Sequence, residues 1–84
     1  MTRVAVISII VEPSGNIEQL NTLLHDYSQY VIGRMGIPYR AKNINLISLA
    51  IDAPQDTIST LSGKIGKLTG ISAKTAYSGI ISDE

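Results

Sequence analysis

Apolar residues in this chain come in two kinds of run, and their spacing predicts the elements. Residues 4–11, Val-Ala-Val-Ile-Ser-Ile-Ile-Val, carry almost no polar side chain at either parity. A short β-branched run of this kind reads as a strand with both faces covered. Glu12, Pro13, Ser14 and Gly15 interrupt it. Asn16 suits a helix N-cap, and Gln19 three residues on gives a weaker form of a capping box. Ile17, Leu20, Leu23, Leu24 and Tyr27 then recur at helical spacing and predict a helix over residues 17–27. A second strand begins near Tyr30, and the charged and amide residues 39–43 read as a turn. Residues 44–51, Ile-Asn-Leu-Ile-Ser-Leu-Ala-Ile, form a third strand, again apolar at both parities.

The second half repeats the plan. Pro54 suits a first helical position, and Asp52 or Asp56 favours the positive end of the helix dipole. Ile58, Leu61, Ile65 and Leu68 mark the buried stripe of this helix, with Lys64 and Lys67 near its carboxyl end. Gly70 is expected at C′. Ile71, Ala73, Thr75 and Tyr77 alternate with Ser72, Lys74 and Ala76, a fourth strand with one wetter face. The tail, residues 79–84, is expected to fray, with Ile80 and Ile81 available for a contact.

Strand–helix–strand over residues 1–42 and again over 43–84 is the β-α-β-β-α-β order of ferredoxin-like folds. The fold class is α+β: a four-stranded antiparallel sheet with two helices on one face, because right-handed crossovers put both helices on the same side. Two helices leave the other face bare. Ile7, Ile9, Ile47 and Leu49, or else their alternates, must then face outward in one apolar patch. Such patches mark interfaces, so the chain is expected to form a homodimer or homotetramer, with sheets packed face to face or edge to edge.

Composition narrows the function. Eighty-four residues are expected to form a single domain, small enough that association would help to stabilise it. Cysteine is absent, which removes disulfides and thiolate metal sites. Seven basic and seven acidic residues cancel without a basic cluster, so direct nucleic-acid binding is not expected. The longest apolar run is far below a membrane span, and Glu12-Pro13 stands where a signal peptide would have a cleavage site. Neither membrane association nor a cofactor is expected, and the expected location is cytoplasmic.

Few residues invite chemistry. His25, the one histidine, reads first as a surface residue near a helix carboxyl end, and as a weak metal candidate only if several chains pool it. Ser14, Gly15 and Asn16 offer backbone donors at a helix start, where an anion can bind. Ser59, Ser62, Gly63 and Gly66 form a small-residue ridge that predicts close approach of another backbone. Gly63-Lys64 lies inside a helix, which argues against a phosphate loop. No catalytic triad or carboxylate pair can be assembled, so no enzyme is expected.

The stretch from Tyr30 to Arg40 stands apart, with two glycines, two arginines, two tyrosines, a methionine and a proline in eleven positions. Gly33 and Gly36 allow a bulge, a close approach or a positive φ. Pro38 requires an edge strand or a strand already ended, and Gly36, Ile37 and Pro38 are expected to leave the ladder. Arg34 and Arg40 offer forked donors, while Tyr30 and Tyr39 offer rings with polar tips. Ligand pocket and subunit contact are both open readings of Gly33, Arg34, Met35, Gly36, Ile37, Pro38, Tyr39 and Arg40.

That segment resembles the signature of the iron-only hydrogenase system regulators. The resemblance extends to the opening strand, to Asp52-Ala53-Pro54, to the run from Leu61 to Gly66, and to the run from Gly70 to Lys74. It implies a free-standing ACT-like domain, related in fold to the ligand-binding half of the nickel-responsive repressor, with a regulatory role in a hydrogenase system. It supplies no catalytic residue. The repressor's regulatory half uses histidines and a cysteine, so its nickel-sensing mechanism does not carry over. ACT-like relatives bind small effectors near the first strand–helix loop, where Ser14, Gly15 and Asn16 stand here. The expected partners are a second copy of the chain, a small effector or a regulatory partner protein.

Overall fold

The computed structural model describes residues 1–82. Strand β1 (Thr2–Val11) leads to helix α1 (Ile17–Asp26), and a 3-10 turn (Ser28–Tyr30) feeds β2 (Val31–Tyr39). A second 3-10 turn (Arg40–Lys42) connects to β3 (Ile44–Ala53), followed by α2 (Gln55–Gly66) and β4 (Ile71–Ser82). The strands form one antiparallel sheet in the order β2-β3-β1-β4. This is the ferredoxin-like arrangement expected from the alternation of patterns.

Helix starts obey the expected chemistry in part. The Asn16 side chain accepts a hydrogen bond from the Gln19 backbone N–H at 3.1 Å, which satisfies one donor that the first turn leaves free. At α2, Pro54 stands at the N-cap rather than inside the helix, and Asp52 belongs to β3. Asp56 does lie in the first turn. Its negative charge there complements the helix dipole.

The core lies between the sheet and the helices. Ala5, Ile7, Ile9 and Val11 from β1 pack with Ile47, Leu49, Ile51 and Ala53 from β3. Leu20 and Leu24 of α1 and Ile58, Leu61 and Ile65 of α2 cover them, and no buried polar residue interrupts the layer among the described residues. Burying one such side chain stabilises by about 1.5–3 kcal/mol.

Several expectations need correction. β2 does not leave the ladder at Gly36: it stays paired with β3 through Pro38↔Asn45 and Tyr39↔Ile44. It can hold a proline because, among the described residues, β3 is its only strand partner, as the edge-strand alternative requires. Gly70 adopts φ +72, but in the turn into β4 and not directly after the helix, whose C-cap is Lys67. The tail is paired as far as Ser82, opposite Thr2, so the part of it that is described is strand; Asp83 and Glu84 lie outside the described residues. Pairing shifts there: β1 takes two steps from Ala5 to Arg3 while β4 takes four, from Tyr77 to Ile81. Ser78 holds this bulge, its Oγ accepting from the Ile80 N–H and its carbonyl from Arg3 Nε.

Within the chain the glycine ridge on α2 brings no other backbone close, since a Cβ at Gly63 or Gly66 would meet nothing within 4 Å. The close glycine approach occurs elsewhere. A Cβ on Gly70 would lie 2.6 Å from the Gly15 nitrogen, and one on Gly15 would lie 2.9 Å from the Gly70 carbonyl oxygen. That carbonyl accepts from the Glu12 N–H at 2.8 Å, so the β1–α1 loop and the α2–β4 turn are locked together.

These contrasts set two tests by urea denaturation. Leu61→Ala should lower stability by about 2–5 kcal/mol. Gly70→Ala should lower it by more than about 1 kcal/mol through crowding and unfavourable φ, whereas Gly63→Ala should raise it by about 0.5–1 kcal/mol through helix propensity.

Candidate functional site

Strand alternation divides the 33–40 segment between the two faces of the sheet. Arg34 pairs with Leu49 and Gly36 with Ile47, both buried under the helices, so Arg34, Gly36 and Pro38 lie on the helix side. Gly33, Met35, Ile37 and Tyr39 pair with Ala50, Ser48, Leu46 and Ile44, and lie on the open side. The register slips between Val31 and Gly33, with Ile32 as the extra residue. Such a bulge keeps Val31 on the helix side while re-aiming the side chains from Gly33 onward. Arg40 falls in the 3-10 turn beyond the strand, and Tyr30 in the 3-10 turn before it.

On the open side the register builds rows across the sheet. Ile10, Leu46 and Ile37 stand side by side, as do Ser8, Ser48 and Met35, and then Val6, Ala50 and Gly33. Ile7, Ile9, Ile47 and Leu49 are buried, so it is the alternates Val4, Val6, Ile10 and Leu46 that face outward. Met35 is 62% exposed and Ile37 54%. Together with Ser8 and Ser48 they line a shallow hollow of about 310 Å³. On β4 the same face carries Ser72 and Lys74, so polar character sits toward that edge.

On the helix side, Arg34 Nη2 donates to Asn21 Oδ1 on α1 at 2.8 Å. Around this bond lies a groove of about 400 Å³ between α1 and β2, lined by Asn21, His25, Ser28 and Arg34 over Leu24, Val31 and Leu49. Of the polar residues here, His25 and Arg34 stand out in the sequence. Asn21 and Ser28 fall at i and i+7 around His25 at i+4, a polar stripe beside the apolar one, and that spacing is the signal that would have found them.

The remaining candidates separate. None of Ser14, Gly15 and Asn16 lines this groove, and their glycine is explained by contact with Gly70. Neither Gly33 nor Gly36 has a positive φ, and a Cβ on either would meet nothing within 4 Å. Of the three roles open to these glycines, the bulge applies to Gly33, and within the chain none applies to Gly36. Among the described residues no three His, Cys, Asp or Glu side chains gather as a metal site, and no helix is long and apolar enough to cross a membrane.

The class of protein is therefore a small ferredoxin-like domain whose distinctive surfaces are an apolar sheet face and a polar groove on either side of one edge strand. The chain belongs to the TM1266-like family, described as iron-only hydrogenase system regulators, whose model matches residues 3–75. It is similar to the solved structure of the uncharacterized protein TM1266 from Thermotoga maritima, with 36% identity and a TM-score of 0.88, covering 92% of this chain and 98% of that one. No curated protein matched. Both faces of the 33–40 segment fall inside the matched region.

Gly36 offers a test of what the segment is for. With open space around it, Gly36→Ala should leave the chain as stable as before or more so by urea denaturation, since glycine weakens a strand interior. A loss above about 1 kcal/mol would show that the fold itself needs this glycine.

Proposed function

We propose that this protein is a non-catalytic regulatory domain of an iron-only hydrogenase system, acting as a homo-oligomer that binds a small effector or a regulatory partner protein. The family's description supports the regulatory setting. The observation that carries the oligomer is the open sheet face, where Val4, Val6, Ile10, Leu46, Met35 and Ile37 are all exposed together. Scattered apolar residues on a surface are ordinary, but a contiguous face of them is a contact surface. A second copy packed sheet against sheet would cover it, and the flat middle formed by Ser8, Ser48 and Ala50 suits close packing of that kind. This is the same reason a chain of this size gains from association.

The effector reading draws on the other side of β2, where Arg34 and α1 enclose the polar groove. A second reading is an assembly module without a ligand, and the run of Met35, Ile37 and Tyr39 into the open face favours it. The two differ in what they require of Arg34, which faces away from the open side.

Sedimentation equilibrium at micromolar concentration should give a dimer or larger species, and Met35→Lys combined with Ile37→Glu should shift it toward monomer. A wild-type monomer at that concentration would defeat the oligomeric reading. Thermal-shift screening separates effector binding from pure assembly. A ligand that binds the folded state raises the melting temperature with its concentration, by about 2.7 kcal/mol of stability at a hundredfold excess over Kd. A chain that associates and responds to no compound is the assembly module.

A further inference from the structure

The groove between α1 and β2 carries a charge arrangement that its place in the fold does not require. Asn21, His25 and Ser28 project from one side of α1 and its C-terminal extension, and Arg34 meets them from β2. Among the described residues the hydrogen-bonded partner of Arg34 is Asn21, a neutral amide. An amide orients the guanidinium without neutralising it, and leaves further donors of the fork unused. The acidic residues of α1 are turned elsewhere: Glu18 and Asp26 line a different hollow, with Leu23 and Leu68. Next to Arg34 on the same side of β2 comes Gly36, with open space where a side chain would stand. The result is a cation held in place beside imidazole and hydroxyl groups, above an apolar floor of Leu24, Val31 and Leu49. The volume of about 400 Å³ falls in the range of small-ligand sites.

We propose that this groove binds a small organic anion, a carboxylate or phosphate monoester with a short apolar tail. Arg34 takes the anionic head through its free donors, helped by His25 and Ser28, and Asn21 keeps the guanidinium pointed at it. Fork geometry matches either kind of head, and the apolar floor accommodates the tail. The proposal deepens the effector-binding part of the proposed function and rests on that reading.

The test is a ¹H–¹⁵N NMR titration at constant ionic strength with isovalerate, isopentyl phosphate and isopentanol, which share one tail. Saturable shifts of the Asn21, His25 and Arg34 amides with either anion, and none with the alcohol, support the site and identify the head group. Arg34→Gln should weaken the anion by about tenfold or more, the size expected for a charge-assisted contact. His25→Gln should weaken it less while leaving the fold intact. Both variants should sediment as the parent does, because neither residue faces the open side, so a failure here is distinguishable from a failure of assembly. The proposal is overturned if neither anion gives a saturable shift, if isopentanol acts equally, or if Arg34→Gln binds as the parent does.

Discussion

A β-strand turns successive side chains to opposite faces, and two helices can cover only one face of a four-stranded sheet. Here β1 and β3, the central strands, are apolar at both parities. Half of that apolar surface builds the core with Leu20, Leu24, Ile58, Leu61 and Ile65. The other half is left facing out, and no choice of register would change this, since slipping by one residue exchanges one apolar set for the other. The exposed apolar face is thus written into the same strands that make the fold.

The edge strand shows how that constraint divides work. Its 33–40 segment looks mixed when read as a string, with apolar, cationic and glycine residues side by side. Alternation sorts it: Met35, Ile37 and Tyr39 extend the open face, whereas Arg34 turns toward Asn21 under the helix. Ligand binding and subunit contact are then not competing readings of one surface. A single strand with two differently furnished faces can serve both, and a shift of β2 would be felt on both sides of the sheet.

Much of the architecture was legible because local signals agreed with the global plan. The Asn16 cap, the Ile58–Leu61–Ile65 stripe and the punctuation around Gly15 and Gly70 all mark real boundaries. What could not be read was which parity of β1 and β3 goes inward, because a run such as 4–11 gives a period-two pattern no contrast to work with. Pro38 signals a strand end when read locally, yet an edge position lets the strand continue through it. Gly70 is marked as special by its place after a helical stripe, but its reason is a contact with the distant Gly15, which no local pattern encodes. For the candidate groove, Arg34 was legible by its chemistry, while Asn21 and Ser28 acquire meaning only from the strand opposite them.

The two outer strands also govern how the chain can assemble. Exposed strand edges can template addition of more strands, and a chain that also exposes an apolar face is at risk of growing without limit. Both edges here are irregular: β2 carries the Val31/Gly33 slip and Pro38, and β4 carries the two-residue bulge held by Ser78. Growth along the hydrogen-bonding direction is therefore discouraged, while stacking through the face is self-limiting once the faces are used. Irregular edges thus disfavour open-ended polymers and fibrils, and any association through the bare face would be of the closed, finite kind.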